Sequence, residues 1–93
     1  MIGDMMIVFD HGERRHVRLL IHSCKNEAFE ILDAAYELTA LGDEEPEDSG
    51  ACVISEHIID MAICPQNKGM YRLEVTYHIA DETLIEVVKV RVI

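Results

Sequence analysis

The side chains best suited to acid–base chemistry are a histidine, a tyrosine and a glutamate in the C-terminal half of the chain. Positions 70–79 alternate apolar and polar residues, which predicts a strand with a pairing partner on each side. In the predicted register His57 lies opposite Tyr77, and Tyr77 lies opposite Glu86, at roughly 5 Å from strand to strand. If this row is partly enclosed, its side chains could donate and accept protons.

The row has two interpretations. It could form a small pocket at one end of a curved sheet, which would make the protein a small-ligand-binding or hydrolytic domain. Alternatively, the three side chains lie in water near a hairpin tip, because a carboxylate is rarely buried without a partner. No motif in the sequence specifies a reaction or a cofactor. The sequence therefore gives more weight to a protein without enzymatic activity, and we expect no cofactor.

The acidic residues are concentrated in the middle of the chain. The formal net charge is −10, and the segment between Lys25 and Lys68 contains eleven acidic residues but no Lys or Arg. Such an asymmetry favours a basic protein partner. The alternative is a solvated acidic face that keeps the domain in solution. The candidate partner-binding residues are Glu30, Asp33, Glu37, Asp43, Glu44, Glu45, Glu47 and Asp48.

The remaining histidines and the cysteines form no metal or redox motif. His16, His22 and His78 are predicted on the outer side of the sheet, where nothing brings them together, so we predict no metal site. The three cysteines show no C-x-x-C spacing, and their odd number favours a reducing, cytoplasmic location. The apolar run 5–9 is too short for a signal sequence or a membrane span.

Two kinds of periodicity predict the elements of the N-terminal half. Residues 4–22 predict a β-hairpin around Asp10, His11 and Gly12, because the second half of this segment alternates apolar and polar residues. Residues 25–41 predict an amphipathic helix with a broad apolar face. The apolar residues at helical spacing are Ala28, Leu32, Ala35, Leu38 and Leu41.

The C-terminal half predicts an acidic loop over 42–50 and a three-stranded meander over 52–93. Residues 52–64 also fit a helix, but their apolar positions match those of 70–79 in one register, which favours a strand. The predicted order is ββαβββ in a single domain spanning 1–93. This is an α+β fold in which a mostly antiparallel, curved sheet packs on one amphipathic helix. The position of the hairpin relative to the meander stays open.

One helix can cover only one face of such a sheet, so the apolar residues of the other face lack cover within the chain. Aliphatic side chains mixed with arginines are typical of an association surface, and a homodimer is its simplest use. The alternative is a solvent-exposed face with scattered apolar residues. The candidate dimer-interface residues are Met6, Val8, Leu20, Ile58, Thr76, Ile85 and Val87.

These observations together predict a small acidic, non-enzymatic protein of the interaction or inhibitor type. It would form a homodimer through its outer sheet face and bind a basic protein partner. The alternative function is the ligand-binding or hydrolytic pocket at His57, Tyr77 and Glu86. We expect no membrane partner. Nucleic acid is also disfavoured, because phosphate binding depends on cationic side chains.

Overall fold

In the computed structural model, which describes residues 6–22 and 28–93, the chain forms eight β-strands. No helix occurs among these residues, so none of them belongs to a helix long and apolar enough to cross a membrane. The predicted α+β fold is therefore wrong, because the described chain is all-β. The strands are β1 (Met6–Phe9), β2 (Arg15–Leu20), β3 (Ile31–Ala40), β4 (Asp48–Ala51), β5 (Val53–Ser55), β6 (Ile58–Ile63), β7 (Gly69–Ile79) and β8 (Glu82–Val92).

The strands form two sheets that pack face to face. One sheet has five strands in the order β1-β8-β7-β3-β4, and the other has three in the order β2-β6-β5. Neighbouring strands are antiparallel except β1, which runs parallel to β8. This arrangement resembles the immunoglobulin-type sandwich, with the first strand placed beside the last.

The helix predicted over 25–41 is replaced by β3, a central strand of the five-stranded sheet. A β-bulge between Ile31 and Asp33 shifts the alternation of inward and outward residues by one position. Ala34 is buried and Ala35 is exposed, so two successive apolar residues point to opposite faces of the sheet. The alternation of apolar and polar residue types is therefore lost at this point. The bulge and the alanines together gave the apolar positions a helical spacing.

The exposure of two leucines contradicts the predicted helix. Leu32 and Leu41, which the helical pattern placed on a buried face, are 57% and 79% exposed. Backbone pairing of β3 with β7 on one side and β4 on the other outweighs the local periodicity. The predicted start of the helix, at 25–27, lies outside the described residues.

The hairpin predicted over 4–22 is also wrong, because β1 and β2 belong to different sheets. β1 pairs with β8, ending with Phe9 opposite Val92, and β2 pairs with β6. Arg15 links the two sheets at this point. Its guanidinium donates a hydrogen bond to the Val8 carbonyl oxygen at 2.7 Å and lies over the Phe9 ring, 4.2 Å from the centroid.

Of the three strands predicted over 52–93, only the last two are neighbours, and the first is divided into β5 and β6. β6 pairs with β2 and β5 in the other sheet. β7 and β8 do form an antiparallel hairpin, but Val75 lies opposite Glu86 rather than Val88. A register shift of two residues keeps every side chain on the same face, so the hydrophobic pattern alone does not exclude it.

The core lies between the two sheets and takes side chains from both. Alternate residues of β6 and β7 are buried, as expected for strands with one face against a core. The outer faces of both sheets are left uncovered within the described chain. The largest fully buried side chains are Phe9, Leu38, Ile59, Ile63, Leu73, Val75, Val88, Val90 and Pro65.

Candidate functional site

A groove of about 340 Å³ lies beside the turn that joins β3 to β4. The end of β3, the turn itself and the first half of β7 form its walls. We call it the acidic groove, because four carboxylates and one guanidinium line it together with exposed apolar surface. These residues are Glu37, Asp43, Glu44, Glu74, Arg72, Leu41 and Pro46.

The β3–β4 turn has its shape because of backbone hydrogen bonds and one glycine. The N–H of Asp43 donates to the Ala40 carbonyl oxygen at 3.0 Å. The N–H of Leu41 donates to the Met70 carbonyl oxygen on β7 at 2.9 Å. Gly42 has a φ of 97°, a conformation that strains residues with a Cβ atom. The turn therefore bends tightly beside β7 and presents Asp43 and Glu44 to the groove.

Two groove carboxylates face each other across neighbouring strands. Glu37 on β3 lies directly opposite Glu74 on β7, and both point to the outer face of the sheet. Like charges at directly opposed positions destabilise a sheet. Arg72 forms an ion pair with Glu74 at 2.8 Å, so one guanidinium is set against four carboxylates. The groove is thus strongly negative.

Glu47, also predicted to bind a partner, instead fixes the turn to the rest of the protein. Its carboxylate accepts hydrogen bonds from the Tyr71 hydroxyl at 2.7 Å and from the Gln66 N–H at 3.0 Å. The Tyr71 hydroxyl also accepts the N–H of Asn67 at 3.1 Å, which resembles the tyrosine corner of immunoglobulin-type sandwiches. Burial raises the pKa of Tyr71, and Glu47 raises it further.

Two more of the predicted partner-binding acids have partners inside the protein. The Tyr36 hydroxyl donates a hydrogen bond to the Asp48 carboxylate at 3.0 Å. Burial is the main cause that raises the pKa of Tyr36, and the contact with Asp48 raises it further. The Asp33 carboxylate pairs with Nδ1 of His78. The eight predicted acids therefore differ in role. Glu37, Asp43 and Glu44 line the acidic groove, Asp33, Glu47 and Asp48 make internal contacts, and Glu30 and Glu45 are exposed outside the groove.

A second, shallower groove of about 290 Å³ continues from the first along β3 and β4. The two share Glu37 and Glu74. Gly50 on β4 lies opposite Tyr36 and lines this second groove with it. Acidic and aromatic surface is therefore continuous along this edge of the sheet.

The predicted row of His57, Tyr77 and Glu86 does not form across adjacent strands. Tyr77 lies opposite Leu84 rather than Glu86. Burial raises the pKa of Tyr77, and the charge of Glu86 and a hydrogen bond with it raise this pKa further. His57 lies between β5 and β6 of the other sheet, where its ring stacks on Phe29 with centroids 4.0 Å apart. Its Nε2 is 3.1 Å from the Phe29 carbonyl oxygen. A pocket at these residues stays a prediction.

The predicted dimer-interface residues lie on two surfaces rather than one. Leu20 and Ile58 are register partners on the outer face of the three-stranded sheet. The others are on the five-stranded sheet, because β1, β7 and β8 belong to it. Those on its outer face are Met6, Val8, Thr76, Ile85 and Val87.

The outer face of the three-stranded sheet carries a small ion-pair cluster. His16 Nδ1 lies 2.8 Å from one Asp60 oxygen, and Arg18 Nε lies 3.2 Å from the other. The hydrogen bond from His16 is the main cause that lowers the pKa of Asp60.

Burial raises the pKa of Cys52 to about 11. Within residues 6–22 and 28–93, no group of three or more His, Cys, Asp or Glu is placed to hold a metal ion.

Sequence reasoning missed the contribution of β7 to the acidic groove. It assigned Glu37 to a helix and Asp43 and Glu44 to a loop, so Arg72 and Glu74 had no predicted neighbour among them. A strand assignment for 31–40 would have placed Glu37 on the outward face, where a β7 partner could be sought. The alternation of Asp33, Ala35, Glu37 and Thr39 was the available signal.

No family model matches this chain, and no curated protein matches it. Two solved structures share its fold. One is an engineered protein, with a TM-score of 0.73, and the other is the endo-β-1,4-mannanase from Thermotoga petrophila, with a TM-score of 0.61. Both are 14% identical to this chain over 98% of its length, and this chain spans 18% of the length of each. Similarity at this level concerns the sandwich fold alone.

Proposed function

We propose that this chain is a non-enzymatic interaction protein that binds a lysine- or arginine-bearing segment of a basic protein partner in the acidic groove. The observation that carries the proposal is the outward pair of Glu37 and Glu74, held opposite each other in the sheet. Arg72 already pairs with Glu74, so a further cation placed between the two glutamates would add charge-assisted hydrogen bonds and relieve the remaining repulsion. Local conflicts of this kind are typical of functional sites.

The composition of the groove walls suits a long cationic side chain. Leu41 is 79% exposed at the rim and Pro46 lies near it, so the apolar stem of a lysine or arginine has surface to pack on. The charged end would then reach the carboxylates. The adjoining groove along Tyr36 and Gly50 extends the surface for further residues of the same segment.

The charge of the whole chain supports the same class of partner. A net charge of −10 on 93 residues attracts cationic proteins over long range and accelerates encounter at low salt. By covering cationic residues that the partner needs for its own interactions, the protein would act as an inhibitor. We also propose a cytoplasmic location, which the free cysteines Cys52 and Cys64 support.

Binding of a labelled oligolysine peptide, followed by fluorescence anisotropy, tests this proposal. The groove variant combines Glu37→Gln, Asp43→Asn and Glu44→Gln. Exposed ion pairs contribute about 0.2–1 kcal/mol each, so removing three should weaken binding roughly tenfold. The matched control loses the same charge at exposed positions outside the groove, through Glu56→Gln, Asp81→Asn and Glu82→Gln.

The control should bind oligolysine nearly as well as the unmodified protein. Equal weakening in the two triple variants would contradict the proposal, because it would mean that oligolysine is held by diffuse attraction to net charge. Equal binding of an oligoglutamate peptide would contradict it as well.

A further inference from the structure

The outer face of the five-stranded sheet exposes a strip of aliphatic side chains. On the neighbouring strands β1 and β8 they are Met6, Val8, Ile85 and Val87, with exposed fractions of 55, 47, 58 and 40%. Isolated exposed aliphatics are ordinary, but a group on adjacent strands forms a patch. This strip adjoins the β7 wall of the acidic groove, because Val87 lies directly opposite Glu74.

Charge on this outer face is divided between its two sides. The β3 side carries the acidic groove, whereas the β8 side carries Lys89 and Arg91, both exposed and both beside the aliphatic strip. β7 lies at the middle of the five strands and carries the ion pair of Arg72 and Glu74. The face therefore has one acidic half and one half that is basic and apolar.

We infer that this outer face binds a second copy of the chain, in a dimer whose two-fold axis runs roughly parallel to the strands. Rotation about such an axis places β3 of one copy over β8 of the other, with β7 at the centre. Each residue keeps its position along the strand direction, so residues at the same level of the two copies face each other. Arg91 lies opposite Met70, whose carbonyl oxygen accepts the Leu41 N–H, so Arg91 is level with the β3–β4 turn. In the dimer Arg91 of each copy meets Asp43 and Glu44 of the other.

Charge complementarity selects this arrangement over the other face-to-face dimer. An axis perpendicular to the strands would place the acidic half on the acidic half, where like charges repel. The available area is sufficient, because the molecule measures 40 × 25 × 23 Å and a standard interface needs about 800 Å² per partner. In this arrangement the two β7 strands face each other at the centre, and the aliphatic strip of each copy lies over β3 and β4 of the other copy. Apolar and charged side chains are therefore mixed across the interface.

This dimer covers the acidic groove of each copy with the basic half of the other. A cationic partner and the second copy would therefore compete for one surface, and binding of the partner would require the dimer to dissociate. The competition rests on the proposed function, whereas the dimer does not.

Sedimentation equilibrium across a concentration series measures the association. At low salt we expect a mass approaching twice the 10.6 kDa of one chain, falling toward one chain on dilution. Val87→Asp should leave a monomer under the same conditions. Leu20→Asp is the matched control, since Leu20 is 58% exposed on the outer face of the other sheet, and it should dimerise like the unmodified protein.

A charge exchange tests the orientation of the two copies. Arg91→Glu alone and Glu44→Lys alone should each weaken the homodimer about tenfold or more, because each places like charges together. An equimolar mixture of the two variants should regain the original affinity as a heterodimer, since both contacts are then attractive. A monomer at every concentration, or a mixture no tighter than either variant alone, would overturn the inference.

Oligolysine binding by Val87→Asn separates this inference from the proposed function, because this neutral polar substitution should also leave a monomer but adds no charge beside Glu74. A variant that is monomeric and binds oligolysine more tightly than the unmodified protein supports the competition. If the unmodified protein is a monomer and still binds oligolysine at the groove, the dimer is refuted and the proposed function stands. If it dimerises and Val87→Asn binds no oligolysine, the proposed function fails and the dimer stands.

Discussion

Replacing Glu47 by alanine should destabilise the sandwich, although Glu47 lies in an exposed acidic turn. Its carboxylate accepts the Tyr71 hydroxyl at 2.7 Å, and Tyr71 is only 3% exposed. Hydrogen bonds to a charged group contribute about 1.5–3 kcal/mol where water does not replace them. The second contact, from the N–H of exposed Gln66, is replaceable by water and adds little. We therefore expect a loss of about 2 kcal/mol.

Urea denaturation and a thermal melt measure this loss. For a domain of this size 1 kcal/mol corresponds to about 4–8 °C in Tm, so Glu47→Ala should lower Tm by roughly 10 °C. Glu45→Ala removes the same charge from the same turn, where Glu45 is exposed, and should change Tm little. A double-mutant cycle with Tyr71→Phe should give a coupling of about 1 kcal/mol. Equal melts for Glu47→Ala and Glu45→Ala would refute the role assigned to Glu47.

Three further predictions follow from single features of the structure. Ala80 has a φ of 54°, so Ala80→Gly should raise stability by about 1 kcal/mol, measured by urea denaturation, and an unchanged midpoint would contradict that strain. The pKa values of Tyr36, Tyr71 and Tyr77 are raised, so the stability they contribute is present below pH 10 and is lost as the pH rises through their folded pKa values. Circular dichroism should show a melting temperature that falls above pH 10, and a flat profile would contradict the three shifts. Since burial raises the pKa of Cys52 from 9.0 to about 11, its alkylation by iodoacetamide at pH 8 should be about tenfold or more slower than in the unfolded chain, as followed by peptide mass spectrometry.

The β7–β8 hairpin shows what the sequence could predict. The alternation from Tyr71 to Tyr77 is a strong strand signal, and the structure has an antiparallel hairpin there. The exact register was out of reach, because pairing Val75 with Glu86 or with Val88 leaves the same residues facing the core. Only the turn distinguishes the two, and it uses a left-handed alanine rather than a residue that favours this conformation.

The segment 31–40 shows why the rest of the fold could not be predicted. Its β-bulge and its adjacent alanines remove the regular alternation, and its pairing with β7 joins residues about forty positions apart. Local periodicity carries no information on such pairing. The acidic groove could not be predicted for the same reason. Glu37, Asp43 and Glu44 belong to the acidic segment that is visible in the sequence, but Glu74 lies outside it, and its opposition to Glu37 exists only once β3 and β7 are neighbours.

The most direct test of the acidic groove as the binding surface is an NMR titration of ¹⁵N-labelled protein with oligolysine. We expect the largest amide shifts at the β3–β4 turn, around Leu41, Asp43 and Glu44, and at the neighbouring Glu74 on β7. Amides near Glu82, at the opposite end of the β7–β8 hairpin, should shift little. Shifts of equal size near every exposed acidic residue, or none at the β3–β4 turn, would contradict it.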